Sequence, residues 1–284
     1  MLNFNTSTIR RFLWQYSAFP WIERFIMLRF PTIRDVQVSP FTAVADGFLN
    51  LFYPETCFIC SSPVARRREC GLCDDCWRKI LELRIEGARC RSCGAPLPGF
   101  AGDSGNICLE CIRRPPPYSG ARAFGYYSTE MRRAIHELKF EGRRPLVKLL
   151  APLLADVFLE SWQREDFDFI TSVPLHPGRR RKRGFNQAEL LSRSLARIIG
   201  LPELRTLRRA AATRSQVGLS DAQRLENVRN AFICAHIDRA AGKRILLIDD
   251  VMTTGATAAS ASQALIDAGA EKVSVLTVVR AVRM

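Results

Sequence analysis

The run Ile245-Leu246-Leu247-Ile248-Asp249-Asp250-Val251-Met252-Thr253-Thr254-Gly255-Ala256-Thr257 constrains the fold more than any other stretch of the chain. Four apolar residues lead into two adjacent carboxylates and then into a small, hydroxyl-rich turn. Such a short apolar run, preceded by Gly242-Lys243-Arg244, suits a central parallel strand covered on both faces. Ala258 to Asp267 follows as a helix-prone segment with Gly269 as its C-cap. Strand, turn and helix in this order predict an α/β fold with a parallel sheet flanked by helices.

The turn has the chemistry of a phosphate site. Thr253 to Thr257 offers backbone N–H groups and threonine hydroxyls at a helix N-terminus, with a glycine that tolerates close backbone approach. It has no lysine and lacks the G-x-x-x-x-G-K-[ST] spacing, so it is not the P-loop of a nucleoside triphosphatase. The two aspartates upstream would repel a second phosphate but could accept hydrogen bonds from ribose hydroxyls or sit near Mg²⁺. A sugar phosphate therefore fits better than a nucleoside triphosphate. The plain alternative is an ordinary turn that two aspartates cap and solvate. Position by position, however, the stretch resembles the 5-phosphoribosyl-1-pyrophosphate (PRPP) motif of type I phosphoribosyltransferases.

A second constraint comes from cysteine. Eight of the ten cysteines fall into C-x-x-C pairs: Cys57/Cys60, Cys73/Cys76, Cys90/Cys93 and Cys108/Cys111. Two such knuckles complete a closed tetrahedral sulfur shell, so the spacing predicts two structural Zn²⁺ sites with no open position for catalysis. The short spacers cannot bury a core unaided, and metal binding would carry the folding free energy. Cys70-x-x-Cys73 has the same spacing as Cys73-x-x-Cys76. Cys73 and Cys76 are preferred because the gap from Cys60 then resembles that of the second ribbon. Pairing into disulfides is the lesser alternative, since the first fifty residues show no secretory pattern and Gln15 and Glu23 interrupt any apolar core there.

Arg113-Arg114-Pro115-Pro116-Pro117 reads as a stiff linker. The expected partition is an N-terminal extension, poorly ordered or weakly helical, over residues 1–47, a double zinc ribbon over 48–114, and an α/β domain over 115–284. Within the last, strands are predicted at Ala121–Tyr127, Asp168–Leu175, Ala231–Ala235 and Val273–Val279, and helices at Glu130–Phe140, Pro145–Gln163 and Gln187–Ile199. Strand Asp168–Leu175 runs into His176-Pro177-Gly178 and the basic run Arg179 to Arg183. Open α/β sheets bind ligands at the carboxyl ends of their strands, so a pyrophosphate would find its charge countered in this loop. His176 is a candidate donor there, although a lone histidine bracketed by prolines more often serves structure. Lys139 and Arg143 form a basic corner within reach of a phosphate or solvating a helix end. Leu207 to Ser220 reads as a mobile, basic lid. The other histidines, His136 and His236, have no serine or cysteine arranged as a triad, and Cys234 reads as a small core residue.

With 284 residues, 47% of them hydrophobic, the chain can bury a proper core, and its net charge of +14 suits polyanionic partners as well as plain solubility. No uninterrupted apolar run approaches 18 residues, so no membrane-spanning helix is expected. The basic residues Arg66, Arg67, Arg68, Arg89, Arg91 and Arg179 to Arg183 support sequence-independent contact with single-stranded DNA. Aromatic residues suited to stacking on bases are sparse along that stretch, with Trp77 the one nearby tryptophan.

From about residue 48 to 282 the chain resembles the ComF family, a double zinc ribbon followed by a type I phosphoribosyltransferase domain. The likeness rests on the four C-x-x-C knuckles, His136-Glu137-Leu138-Lys139-Phe140, Val173-Pro174-Leu175-His176-Pro177, Arg183-Gly184-Phe185-Asn186-Gln187, Thr213-x-x-Gln216, Arg224-x-x-Asn227-Val228 and the PRPP motif. The resemblance implies that Thr253, Thr254, Gly255, Ala256 and Thr257 hold the 5-phosphate of Mg²⁺-bound PRPP and that Asp249 and Asp250 meet the ribose hydroxyls. Pro174, Leu175, His176 and Arg179 would belong to the pyrophosphate loop, and Thr213, Gln216 and Arg224 to a flexible catalytic hood. It further implies a role in DNA uptake beside a DNA-translocating helicase, in the cytoplasm or at the inner face of the cytoplasmic membrane. The acceptor of any transfer is not specified. The competing expectation is a zinc-stabilised nucleic-acid-binding or partner-binding module without turnover.

Overall fold

The computed structural model describes residues 56–64, 71–97, 106–209 and 231–281. In chain order, helices α1 (Asp74–Glu82) and α2 (Leu109–Arg113) each follow a cysteine knuckle, and strand β1 (Gly120–Tyr126) comes next. Helices α3 (Thr129–Phe140) and α4 (Val147–Ser161) lead to β2 (Phe169–Ser172), α5 (Pro177–Arg183) and α6 (Gln187–Ile199). Strands β3 (Leu207–Arg209) and β4 (Phe232–Cys234) precede the short α7 (Ile237–Ala240). The chain then forms β5 (Arg244–Met252), α8 (Ala256–Asp267) and β6 (Lys272–Arg280).

Strands β1, β6, β5 and β2 form one parallel sheet in that order, while β3 and β4 pair antiparallel in a sheet of their own. The apolar run of β5 explains why the sheet is covered twice. Successive side chains point to opposite faces. Leu246 and Ile248 join the core that contains α3, α4 and α6, whereas Ile245 and Leu247 join the one that contains α8, β3 and β4. At about 25 cal/mol per Å² of apolar surface, each buried leucine or isoleucine of this strand contributes roughly 1.5–3 kcal/mol. The expected fold class, a parallel sheet flanked by helices and preceded by a double zinc ribbon, is the one found.

Three elements differ from the expected boundaries. Strand β5 continues through the aspartates, because Asp249 pairs with Thr277 and Val251 with Val279 of β6. The carboxylates therefore form the acidic end of the strand, which runs on past them to Met252. The basic run after β2 is helical, not a loop. His176 Nδ1 accepts the Gly178 N–H at 3.1 Å, Pro177 occupies the first turn, and Gly184 ends the helix in the left-handed region at φ 80°. Leu207–Arg209 forms strand β3 rather than the start of a lid.

The ribbons are built onto the sheet. Between the two cysteine clusters, Ile85 donates its N–H to the Phe124 carbonyl and Tyr126 donates to the Leu83 carbonyl, both at 2.9 Å, so Leu83–Ile85 runs antiparallel along β1. A side chain at Gly125 would place its Cβ 2.7 Å from the Leu83 carbonyl oxygen, which explains the glycine. Arg84 ion-pairs with Asp156 and Glu160 of α4, and Arg89 with Glu160. On the opposite side of the sheet, Pro202 and Leu204 hydrogen-bond to Ile170 of β2. No helix among the described residues is long and apolar enough to cross a membrane.

Candidate functional site

Cys57, Cys60, Cys73 and Cys76 form one sulfur cluster, and Cys90, Cys93, Cys108 and Cys111 a second. Within each cluster the ligand atoms lie within 4.8 Å of one another. The Cys60–Cys73 and Cys93–Cys108 sulfur separations are 3.6 and 3.7 Å. A tetrahedron with Zn–S bonds of about 2.3 Å has edges of about 3.8 Å, so both clusters have the size of a Zn²⁺ shell.

The thiol chemistry agrees with that fit. Hydrogen bonds from Ser62 pull Cys60 down to about 6. Burial pushes Cys90 up, but the N–H groups of Cys108 and Cys93 outweigh it and bring that thiol to about 7. Cys76 and Cys111 are pushed up by burial first and then by the neighbouring sulfurs. Four thiolates crowded in this way need a dication among them. The described cysteines are unbonded to one another, which removes the disulfide alternative for them. Cys70 and Arg66 to Arg68 lie outside the described residues.

The second site lies where β2 and β5 end side by side. Ser172 is the register partner of Ile248, and Val173 donates to the Ile248 carbonyl at 2.9 Å. The loop that starts at Pro174 therefore emerges beside Asp249 and Asp250. Asn186 fixes the far end of that loop, since its Nδ2 donates to the Val173 carbonyl at 3.0 Å and its Oδ1 caps α6 by accepting the Ala188 N–H at 3.1 Å. Arg183 donates to Gln187 Oε1 at 2.5 Å, and Phe185 is buried with the Arg144 guanidinium 4.9 Å from its ring centre. The motif Arg183-Gly184-Phe185-Asn186-Gln187 is thus a clasp that returns the basic helix to the sheet.

Asp250 is 3% exposed, and its Oδ2 stands 2.8 Å from Lys139 Nζ at the end of α3. The contact is an ion pair, and Asp250 Oδ2 is buried without a hydrogen-bond donor. Asp249 accepts the Asp250 N–H at 2.9 Å. Burial, followed by the charge of Asp250, pushes the Asp249 carboxyl up to about 8, against the opposing pull of Lys139. Around this pair stand cations that oppose one another. Burial weakens the hold of Arg183 and of Arg209 on their protons, Arg179 presses on both, and the aspartates draw the other way, Asp250 on Arg183 and Asp249 on Arg209. Mutually repelling guanidiniums beside a carboxylate pair suit a ligand that brings several negative charges to one side and hydroxyl donors to the other.

The turn after β5 completes the site. Gly255 adopts φ 80° and caps α8, Thr254 Oγ1 accepts the Ala256 N–H at 3.3 Å, and Ala259 donates back to the Gly255 carbonyl at 2.8 Å. Thr253–Thr257 therefore forms the N-terminal turn of a twelve-residue helix, next to the acidic strand end. His176 spends Nδ1 on the backbone of α5, which leaves Nε2 as the nitrogen able to meet a ligand. Within the basic run, Arg180 is tied to Glu189 at 3.3 Å while Arg181 and Lys182 are exposed. Thr213, Gln216 and Arg224 lie outside the described residues.

Arg209, which the sequence assigns to the basic lid, instead lies buried at the end of β3 near Asp249. Its signal was the alternation of Leu207, Arg208 and Arg209, with an arginine at an inward position.

The double zinc ribbon domain model matches residues 48–116. The DNA utilization protein YhgH of Salmonella typhi is 34% identical over 229 residues, 79% of this chain and 96% of that protein. Competence protein F of Haemophilus influenzae is 31% identical over 216 residues, 74% of this chain and 91% of the relative. Among solved structures, a phosphoribosyltransferase from Corynebacterium diphtheriae superposes with a TM-score of 0.30 at 20% identity, covering 72% of this chain and 81% of that one. The glutamine PRPP amidotransferase of B. subtilis superposes with a TM-score of 0.32 at 23% identity, covering 46% of this chain and a quarter (25%) of that one. With relatives this similar along most of its length, the chain belongs to the ComF family, which includes competence protein F and the DNA utilization protein YhgH.

Proposed function

We propose that the chain binds PRPP at the carboxyl ends of β2 and β5 and serves DNA uptake or utilization, the roles carried in its relatives' names. The observation behind this reading is the adjacent Asp249–Asp250 pair, Asp250 buried and Asp249 partly exposed, next to the Thr253–Thr257 turn, with Lys139, Arg179, Arg183 and Arg209 around it. The 5-phosphate fits the backbone of Thr253 to Thr257, and the ribose hydroxyls donate to Asp249 and Asp250. Pro174, Leu175, His176 and Arg179 face the pyrophosphate, joined by Arg209. Hard carboxylate oxygens of this kind also suit a Mg²⁺ ion brought in with the diphosphate, and the ion would neutralise charge on it. Thr213, Gln216 and Arg224 would close over the ligand.

Transfer would break the bond between the ribose anomeric carbon and pyrophosphate, leaving positive character on the sugar. The two carboxylates would face that charge and the arginines the departing anion. Calorimetric titration of PRPP with Mg²⁺, on wild type and Asp250→Asn, tests binding; equal heats from both would overturn the assignment. Pyrophosphate release across a panel of bases and amines tests turnover, and no release above Asp249→Asn would leave binding without transfer.

A second reading, contact with single-stranded DNA, is favoured by one arrangement. Two aromatic rings, Phe140 and Phe58, are each covered by an arginine. Phe140 is 64% exposed, with the His136 ring 4.7 Å away and the Arg183 guanidinium 5.2 Å from its centre, and Arg143 lies 4.5 Å from the Phe58 ring centre. Bases stack on such platforms at about 1–3 kcal/mol each. Arg89, by contrast, is engaged with Glu160. Binding of an oligothymidylate should weaken steeply with salt and drop in Phe140→Ala; insensitivity to both would overturn it. The partition 1–47, 48–114 and 115–284, and a cytoplasmic site of action at or near the membrane and its DNA-translocating helicase, belong to this proposal.

A further inference from the structure

The second sulfur cluster and the phosphate turn are joined through one side chain. Arg280, the last residue of β6, is the register partner of Met252, the last residue of β5. Its Nη1 donates to the Cys93 carbonyl at 2.5 Å and contacts Met252 Sδ at 3.1 Å, and its Nη2 lies 3.4 Å from Cys93 Sγ. Met252 directly precedes Thr253. A Cβ built on Gly255 would fall 2.9 Å from Met252 Cε and 3.2 Å from Tyr118 Oη, so those two side chains form the floor under the turn. Tyr118 is 6% exposed.

We infer that Arg280 is a positioning residue that makes the second cysteine cluster the support of the phosphate turn, so that metal held by Cys90, Cys93, Cys108 and Cys111 sets the affinity of the turn for a sugar phosphate. The inference rests on reading Thr253–Thr257 as a phosphate site. Four thiolates around a dication carry two net negative charges, and a guanidinium donating to one of them is held by a charge-assisted bond. The planar fork reaches sulfur, carbonyl and thioether from one rigid group, a geometry that a lysine cannot reproduce. Loss of the metal would let the sulfurs spread, which removes the seat of Arg280 and, through it, of Met252.

The first cluster stands differently. Cys57 and Cys76 belong to the large core shared with α3 and α4, whereas Cys90, Cys93 and Cys111 form a small core of their own with Ala95 and Leu97 beside it. The second cluster can therefore be disturbed without dismantling the sheet core.

The test compares wild type, Arg280→Ala, Arg280→Lys and a control, Arg122→Ala, in the full zinc-loaded chain. Arg122 donates to the Arg91 and Ala121 carbonyls, at the same contact between ribbon and sheet. Three readouts are needed: PRPP binding by calorimetry, zinc released to a chromogenic chelator, and hydrogen exchange of the 252–257 amides. Arg280→Ala should lose PRPP affinity by roughly 10-fold or more, release one of its two zinc ions faster, and exchange faster in 252–257. Arg280→Lys should recover part of the zinc retention and little of the protection, and Arg122→Ala should match wild type in all three. If wild type binds no PRPP, the phosphate reading fails, while the zinc and exchange readouts still decide the link. Unchanged exchange and zinc release in Arg280→Ala, or equal losses in Arg122→Ala, would overturn it.

Discussion

Asp249→Asn should make the unliganded protein more stable, by an amount that grows as pH rises from about 4 to about 8. The carboxyl ordinarily titrates near 3.8 and is pushed up to about 8 by burial and by the charge of Asp250. Between those values the folded chain holds a proton that the unfolded chain has released, so stability falls as pH rises. The stabilising contribution of the protonated group is complete below about pH 4 and is lost as pH passes through about 8. At about 1.4 kcal/mol for each tenfold change in proton affinity, the gap sets an upper limit of roughly 6 kcal/mol. The carboxyl is partly open to water and Lys139 stands by its neighbour, so about 2 kcal/mol is the expected effect at pH 9. Asparagine keeps the shape and the acceptor for the Asp250 N–H without the charge. Urea unfolding of both zinc-loaded proteins from pH 5 to 9 reads the difference, and other titrating groups cancel between them. The gap between the curves should be narrowest at pH 5, widen up to about pH 8 and stay constant above it. Parallel curves would refute the claim that uncompensated charge is stored at this strand end.

Other substitutions probe separate links. Gly94→Ala must place a Cβ 2.4 Å from the Ala121 carbonyl oxygen at φ +70°, and should cost roughly 1–3 kcal/mol by thermal unfolding, with the second ribbon loosened first. Asn186→Ala removes both the α6 cap and the bond to the Val173 carbonyl, and should cost about 1–2 kcal/mol; a loss under about 0.5 kcal/mol would deny the clasp its role. Native mass spectrometry should count two zinc ions on the wild type and one on Cys73→Ser, matching the two sulfur clusters.

Local patterns carried much of the fold. The apolar run 245–248 marked the central strand because both of its faces are buried, and the knuckle spacing marked the metal centres because each C-x-x-C supplies neighbouring sulfurs to one ion. Strand β5 runs past its acidic end to Met252, where the residues look like the start of the turn until β6 supplies their partners. The helical turn of α5 was hidden by an unpromising Pro-Gly start, rescued by the His176 cap. What sequence could not show was proximity set by sheet register. Arg280 reaches Cys93 only because β6 ends opposite Met252, and Arg209 comes near Asp249 only because the segment leading into β3 lies along β2, where Leu204 donates to the Ile170 carbonyl. Nor did any pattern announce that Leu83–Ile85 would lie along β1, since three residues carry no usable period.

That last contact changes what zinc shortage would do to this protein. The outermost strand is shielded by a stretch suspended between two metal knuckles, so stripping the ions bares a row of backbone donors and acceptors. Cells starved of zinc would then face a chain prone to self-association rather than one merely idle, and its loss would register as insoluble protein before it registered as missing activity.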